Sequence, residues 1–472
     1  VYFNDDWKIS PRLTLSLGIR WDRDFNLLGQ DQLGASRTYL ALKAIGSPYA
    51  SALPTDTTKA FSPRVGFAWD VTGNGHHVMR GGYGIYYGQP FINIPLFALQ
   101  QANSTLFAQT LTLSSTGPGD TRASIVPTTG RPLSEFRFGV DTLPSIPAAG
   151  SVLPANSTGR LIDPNYRNPY VQQENIGYTW AFSNTQAFEV DYVHSLALRE
   201  GKQVNINPIN PATGTRVYAA AFAAAGVTPL GPVRMDSSIG RSRYDGLNLS
   251  YRRRLSHRFS MNTSYTLSKA VGYQGVVGAF GGLATNPNQI FSPQDFGAGP
   301  NDERHRLVVS GVVDLPWGIK FAPVMQAASA RPYQATQGIT DVFGYGASNG
   351  ATHAIVLDSD PNNLQATANF TAAQLQACIA GNTCHQTGGF NLRGQNFFQF
   401  DARFSKSLKF GEKARLELIF QAFDLTDRAN YGNRFVGNIK SATFGQPNGF
   451  ITPAGTIVPR SFSGEFGARF SF

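Results

Sequence analysis

Apolar and polar residues alternate with a period of two in one segment of this chain after another. In the C-terminal stretch "FSGEFGARFSF", Phe462, Phe466, Phe470 and Phe472 hold even positions. Ser463, Glu465, Gly467, Arg469 and Ser471 hold the odd ones. Successive strand residues point to opposite faces, so the stretch predicts a strand with one apolar side and one wet side. "LTLSLGIRWD" sets Leu13, Leu15, Leu17, Ile19 and Trp21 against Thr14, Ser16, Arg20 and Asp22. "FSPRVGFAWD" sets Val65, Phe67 and Trp69 against Arg64 and Asp70, and "QAFEVDYVHS" sets Phe188, Val190 and Tyr192 against Glu189 and Asp191. "FFQFDARFSKS" sets Phe398, Phe400 and Phe404 against Gln399, Asp401, Arg403 and Ser405. Similar strands are predicted at 78–88, 170–182, 243–255, 259–269, 305–315, 319–329 and 414–425.

The connections alternate too. "SPR" at 10–12, "TGNGHH" at 72–77, "SNT" at 183–185, "LSHR" at 255–258, "PWG" at 316–318 and "FGEK" at 410–413 predict tight turns. Long segments separate these hairpins at 25–60, 89–168, 196–240, 271–302, 333–395 and 426–460. Short turns on one side and long loops on the other is the pattern of bacterial outer-membrane barrels. Trp7, Trp69, Trp180 and Trp317 fall beside the short turns, and Trp21 lies about nine residues up its strand, close to one membrane crossing. Aromatic residues at both water interfaces are what a bilayer selects, whereas a β-sandwich scatters them through its core.

Composition narrows the class further. Hydrophobic residues make up 42% and charged residues 15%, which excludes a disordered chain. No run of eighteen or so apolar residues exists, so no transmembrane helix is expected, but strands need only about ten alternating residues to cross. The net charge of +10 is scattered among glycine and aromatics. That distribution fits a basic lumen or an anionic membrane surface better than nucleic acid. The opening "VYFNDDWKIS" lacks an initiator methionine, a basic n-region and an apolar h-region, and reads as the middle of a strand. The chain is therefore expected to be a piece of a longer precursor.

The segments "DDWKISPRLTLSLGIRWD", "FSPRVGFAWDVTGNGHHVMRGGYGIYYG", "NPYVQQENIGYTWAFS", "YDGLNLSYRRRLSHRFSMNTSYTLSKA" and "NDERHRLVVSGVVDLP" resemble those of TonB-dependent receptors. More narrowly they resemble the Oar-like branch, and "FDARFSKSLKF" followed by "LELIFQAFDLTDRANYG" is similar to the last hairpin of that barrel. The resemblance implies an all-β, antiparallel transmembrane barrel of the 22-stranded type with a plug inside. It also implies uptake of a large solute driven by the TonB complex through that plug. Roughly thirteen strands are expected here, making residues 1–472 the C-terminal part of such a barrel, with plug and TonB box absent. The resemblance further implies contact with outer-membrane lipid, lipopolysaccharide and the assembly machinery, the last reading Phe470 and Phe472 as its signal. A passive porin or surface adhesin on the same barrel is the alternative, and a soluble β-sandwich binding module a third.

Candidate chemistry follows from the polar face. Arg20, Asp22, Arg80, Glu189, Asp191, Asp401, Arg403, Glu465 and Arg469 would line a lumen and meet a plug or a passing solute. For any single residue, a solvated cross-strand charge pair is the plainer reading. In "NDERHR" at 301–306, Arg304 and Arg306 share that face, where a structural ion pair competes with positioning a plug or loop. Cys378 and Cys384 frame "CIAGNTC", an even pair that in an exported chain predicts a disulfide stapling a loop. Only His385 lies adjacent, too few ligands for a metal site. "DSDPNN" at 358–363 starts like a calcium loop, but Asn363 replaces the required glycine and Pro361 intrudes. The glycine-rich "GGYGIYYG" at 81–88 sits in a strand pattern without the helix that a phosphate cradle needs. No catalytic constellation is present, so neither enzymatic activity nor a cofactor is expected. Ligand specificity would belong to the long loops, including 89–168 and "GYQGVVGAFGGLA" at 272–284, otherwise read as disordered surface.

Overall fold

A computed structural model describes residues 1–101, 155–210, 212–273, 286–339, 352–411, 414–450 and 461–472, together with 137, 139–141, 284, 341–343 and 345. Its main element is one continuous antiparallel meander of thirteen strands, in which each strand pairs with its neighbours in sequence. These are β1 (Tyr2–Ser10), β2 (Leu13–Asp22), β3 (Ala60–Asp70), β4 (His77–Tyr87), β5 (Tyr170–Ser183), β6 (Gln186–Asn205) and β7 (Val233–Ser256). They continue as β8 (Phe259–Tyr273), β9 (His305–Asp314), β10 (Ile319–Ala328), β11 (Phe397–Phe410), β12 (Ala414–Phe423) and β13 (Ser463–Ser471). The sheet is open between β1 and β13, and every residue of those two edge strands is exposed.

Register keeps the two faces apart around the whole arc. Leu15 pairs with both Trp7 and Phe67, Val65 with Tyr83, Tyr178 with Val190, and Leu247 with Leu267. Further along, Tyr265 pairs with Leu307, Met325 with Phe400, Phe404 with Phe420, and Phe420 with Phe466. A slip of one residue in any pairing would exchange its faces, so the alternation in each strand fixes its partner's register.

The short connections have turn chemistry that suits the twist of the strands they join. Between β7 and β8, His257 and Arg258 both adopt left-handed conformations (φ 52° and 69°) beneath the Ser256–Phe259 pair. That is the two-residue type I′ geometry that matches strand twist, here without glycine. Between β9 and β10, Trp317 (φ 61°) and Gly318 (φ 73°) turn the chain, and Leu315 N donates to Ile319 O at 2.8 Å.

The long connections depart from expectation. In their described parts they are folded rather than structureless, and they carry most of the buried apolar side chains. The strands β6 and β7 run well into the 196–240 loop, where Arg234 pairs with Asn205 and Asp236 with Gln203. The cause is legible in residue type: Val204, Val233 and Met235 alternate there and bury against helices α2 (Arg37–Ala44) and α4 (Ala219–Ala224) through Tyr39, Leu42 and Phe222. The segment Gly159–Ile162 adds a parallel strand beside β7. Its Ile162 and Tyr166 pack on Leu28, Leu33, Ile94 and Ala98 from α1 (Gln30–Leu33) and α3 (Asn93–Leu99). A third packed unit contains Val342, Ile355 and Leu375, the last from α5 (Ala372–Ala380), which Thr371 and Gln374 close with a reciprocal capping box. Most of 89–168 and of 272–284, and turn residues 412 and 413, lie outside the described residues.

Candidate functional site

The polar face of the meander is a wall of paired charges. Arg80 on β4 reaches across β5 to β6, where its guanidinium donates to both Asp191 oxygens at 2.9 and 2.8 Å. It also donates to Thr179 Oγ1 at 2.7 Å and lies 3.6 Å from Glu189. Glycine makes that reach possible, since a Cβ at Gly177 would strike the Asp191 carboxylate. Elsewhere on the wall Arg20 Nε donates to Asp22 at 2.7 Å, and Arg403 lies 3.8 Å from Glu417, which Arg469 faces across the next pair. Asp401 accepts from Gln399 at 3.0 Å and from Asp424 N at 2.8 Å, and Glu465 accepts from Gln421 at 3.5 Å. Half-exposed pairs of this kind are each worth about 1 kcal/mol or less, so their joint effect is a wettable, charge-balanced wall.

At the long-loop end of β9 the pairing is denser. Glu303 accepts from Arg306 at 2.9 Å and from Arg331 at 2.6 Å, and Asp302 accepts from Arg393 at 2.7 Å. Arg304 precedes the strand, and its carbonyl accepts from Ser268 N at 3.0 Å. This cluster ties the 333–395 loop to the rim, with Asp302 itself buried.

Cys378 and Cys384 form a disulfide with a Cα–Cα separation of 5.6 Å, joining α5 to the strand Cys384–Gln386. Mass spectrometry of the unreduced protein should recover one cross-linked peptide, and two alkylatable thiols in fresh protein would refute it. The "DSDPNN" segment forms no cation site, since Asp358 is bonded to His385 instead. Among the described residues no group of three or more His, Cys, Asp and Glu is placed to hold a metal ion.

Two buried polar clusters in the loop region went unread in the sequence. Lys202 Nζ donates to Asp295 at 3.1 Å, and both side chains are essentially inaccessible (1% and 0%). Asp236 is buried beside Arg160 and Arg234 and accepts from Gln203 Nε2 at 2.8 Å. The available signal was the alternation Val233, Arg234, Met235, Asp236, a strand pattern inside a segment read as loop. Burial outweighs Gln203 and the two guanidinium groups and pushes the Asp236 carboxyl up to about 7. In the unfolded chain its value is 3.8, so between these limits the folded state holds the proton more tightly. Stability of this region should therefore fall as pH rises from about 4 to 7 and level off above, opposite to an ordinary paired carboxylate. Asp236→Asn should flatten that dependence, as measured by amide exchange across 159–162 and 233–237 at pH 5 and 8.

The sequence matches the Outer membrane beta barrel domain family over residues 1–461. No curated protein matches it. Among solved structures it is similar to the outer membrane transporter YddB from Escherichia coli, with 12% identity and a TM-score of 0.50 over 90% of this chain and 41% of that one. The ferric-catecholate import receptor Fiu from E. coli K12 aligns with all of this chain and 44% of its own, at 10% identity and a TM-score of 0.44. The FrpB iron transporter from Neisseria meningitidis gives 11% identity, full coverage of this chain, 43% of its own and a TM-score of 0.45. The chain thus spans less than half the length of each. At these identities the likeness is one of fold. Because the family match runs through the strands β1 to β12, the chain belongs to the outer membrane beta barrel domain family, whose place is the cell outer membrane.

Proposed function

We propose that this chain is the C-terminal part of the barrel of a TonB-dependent receptor, of the Oar-like branch, that imports a large solute. The observation that carries this reading is the inner wall. Thirteen consecutive strands form an arc already wider than an eight-stranded barrel, whose side chains can fill its interior. The face lined by Arg20, Arg80, Asp191, Arg306 and Arg403 is polar and charge-balanced, which suits a wide, water-accessible lumen holding a plug. Folded loops over the long-loop end suit a receptor that selects its solute before entry. A ferric chelate, a glycan or a peptide is equally compatible with such a wall. Energy coupling would come from the TonB complex through a plug, and Phe470 and Phe472 would be read by the assembly machinery.

Two measurements test this. The coding sequence upstream of Val1 should specify a plug and a TonB box, and a signal peptide directly before a complete small barrel would overturn the reading. The intact protein in liposomes should pass small sugars no faster than empty vesicles do. Steady swelling would instead favour a passive pore.

A further inference from the structure

Resting on the importer reading, we propose that the inner wall carries a seat for a neutral oligosaccharide, made by the Tyr244 ring and by a hydroxyl-lined hollow lower on β6–β9. The hollow has a volume of about 230 Å³ and is lined by Glu189, Ser250, Arg252, Asn262, Ser264 and Ser310. Register sets these side chains together on the inner face: Glu189 pairs with Ser250, Ser250 with Ser264, Arg252 with Asn262, and Asn262 with Ser310. Higher on the same wall polar side chains are bonded to one another, Thr266 to Asn248 and Arg306 to Glu303 and Gln326. Ser250, Arg252, Asn262, Ser264 and Ser310, by contrast, have no side-chain hydrogen-bond or ion-pair partner among the described residues.

Above the hollow, the Tyr244 ring lies along the wall in the space that a Cβ at Gly246 would take, and Gly246 is buried beneath it. Tyr86 lies over Gly84 in the same way, but the Arg64 guanidinium covers that ring at 4.7 Å. Tyr244 has no ring, cation or hydrogen-bond partner among the described residues, which leaves one side of its ring and its hydroxyl to a solute. A ring already laid against the wall stacks on a sugar face at little further cost in freedom. From Gly246 to Ser250 is roughly 13 Å of strand, within the reach of a short oligosaccharide. Charge and hydrogen-bonding capacity decide the class of solute. Arg80 lies 2.8 Å from Asp191 and 3.6 Å from Glu189, so with Arg252 the two cations balance the two acids, and Arg254 lies outside the hollow. A net charge on the solute gains nothing there. What remains is a set of hydroxyl, amide, guanidinium and carboxylate groups that together donate and accept, as sugar hydroxyls do. A peptide backbone needs a free strand edge, and β6–β9 are each paired on both sides.

Uptake of radiolabelled α-glucan, β-glucan and β-mannan hexasaccharides would be measured in cells carrying the intact protein, with heat-modifiable gel mobility reporting assembly of each variant. At least one of these neutral glycans should enter faster than in cells lacking the protein, and a hexasaccharide of galacturonate units should compete poorly. Tyr244→Ala should lower uptake at low concentration by roughly tenfold, and so should Ser250→Ala combined with Ser264→Ala, each the size of one lost stacking or hydrogen-bonding contact. Tyr244→Phe should keep most of the uptake. If one variant fails to assemble, the other decides. Entry that survives collapse of the proton-motive force, yet is lost in Tyr244→Ala, would keep the seat and overturn the importer reading. Unchanged uptake in assembled Tyr244→Ala or in the double-serine variant would overturn the seat. So would equal competition by the galacturonate hexasaccharide or by a peptide of matching length, or entry of none of the neutral glycans, while the upstream plug and TonB box would still decide the importer reading.

Discussion

Phe466→Arg should nearly abolish membrane assembly, whereas Arg469→Phe should leave it largely intact. Phe466 stands on the apolar face, 87% exposed, with its ring 4.8 Å from that of Phe420 and its backbone paired with the same residue. On the apolar face this side chain is expected to meet lipid, and an arginine near the bilayer midplane destabilises such a barrel by about 2–4 kcal/mol. Arg469 faces the polar wall opposite Glu417, which Arg403 also approaches at 3.8 Å, so removing it leaves Glu417 with a cation nearby. Deleting Phe472, which is 98% exposed at the end of the strand, should slow assembly without preventing β12–β13 pairing. Pulse-labelling followed by heat-modifiable gel mobility separates these outcomes. Normal assembly of Phe466→Arg together with failure of Arg469→Phe would reverse the assigned faces.

The parts of this molecule that were legible in the sequence are those where one physical rule acts alone. Along β2 or β13 the period of two is dictated by two solvents on two faces, so Leu15, Ile19, Phe466 and Phe470 announce both strand and side. The short turns are similarly local, although His257 and Arg258 show that a type I′ turn can form without its usual glycine. The candidate charges Arg80, Glu189 and Asp191 were readable as one face, but their convergence was not, because it spans three strands separated by an 80-residue loop and depends on the missing side chain of Gly177. The loops were least legible. Their helices are short, and their burial comes from contacts such as Tyr39 with β6 and β7 that no local periodicity encodes. Gln203, Arg234 and Asp236 fell within a segment read only as a long connection, yet the structure buries all three, with Gln203 bonded to Asp236.

Lys202→Met should open the region above the barrel while leaving the barrel itself assembled. Lys202 extends from β6 into a site closed by Tyr273, whose ring lies 5.9 Å from Nζ, and by Asp295, which sits in the turn Pro293–Asp295. Removing one partner of a buried ion pair leaves the other uncompensated, a loss of about 3–5 kcal/mol. The loss should centre where Lys202 pairs with Ser237 at the far end of the β6–β7 ladder and where Phe296–Ala298, next to Asp295, pairs with the end of β8, away from β9 to β12. Amide exchange should therefore rise strongly across 286–299 and 384–389, with little change in β9 to β12 and no change in heat-modifiable mobility. The double variant Lys202→Met with Asp295→Leu should regain most of the protection, since it removes both charges together. His353 adds a further check. Burial holds its imidazole below the usual histidine range, although its contact with Thr387 O and the nearby Asp295 charge favour the protonated form. Once Lys202 is gone, protonating His353 brings a positive charge back near Asp295. Acidification from pH 8 to 5 should thus restore part of the protection in Lys202→Met but not after His353→Gln is added. Uniform exchange across loop and barrel alike in Lys202→Met would show that the pair supports the whole fold rather than this region of it.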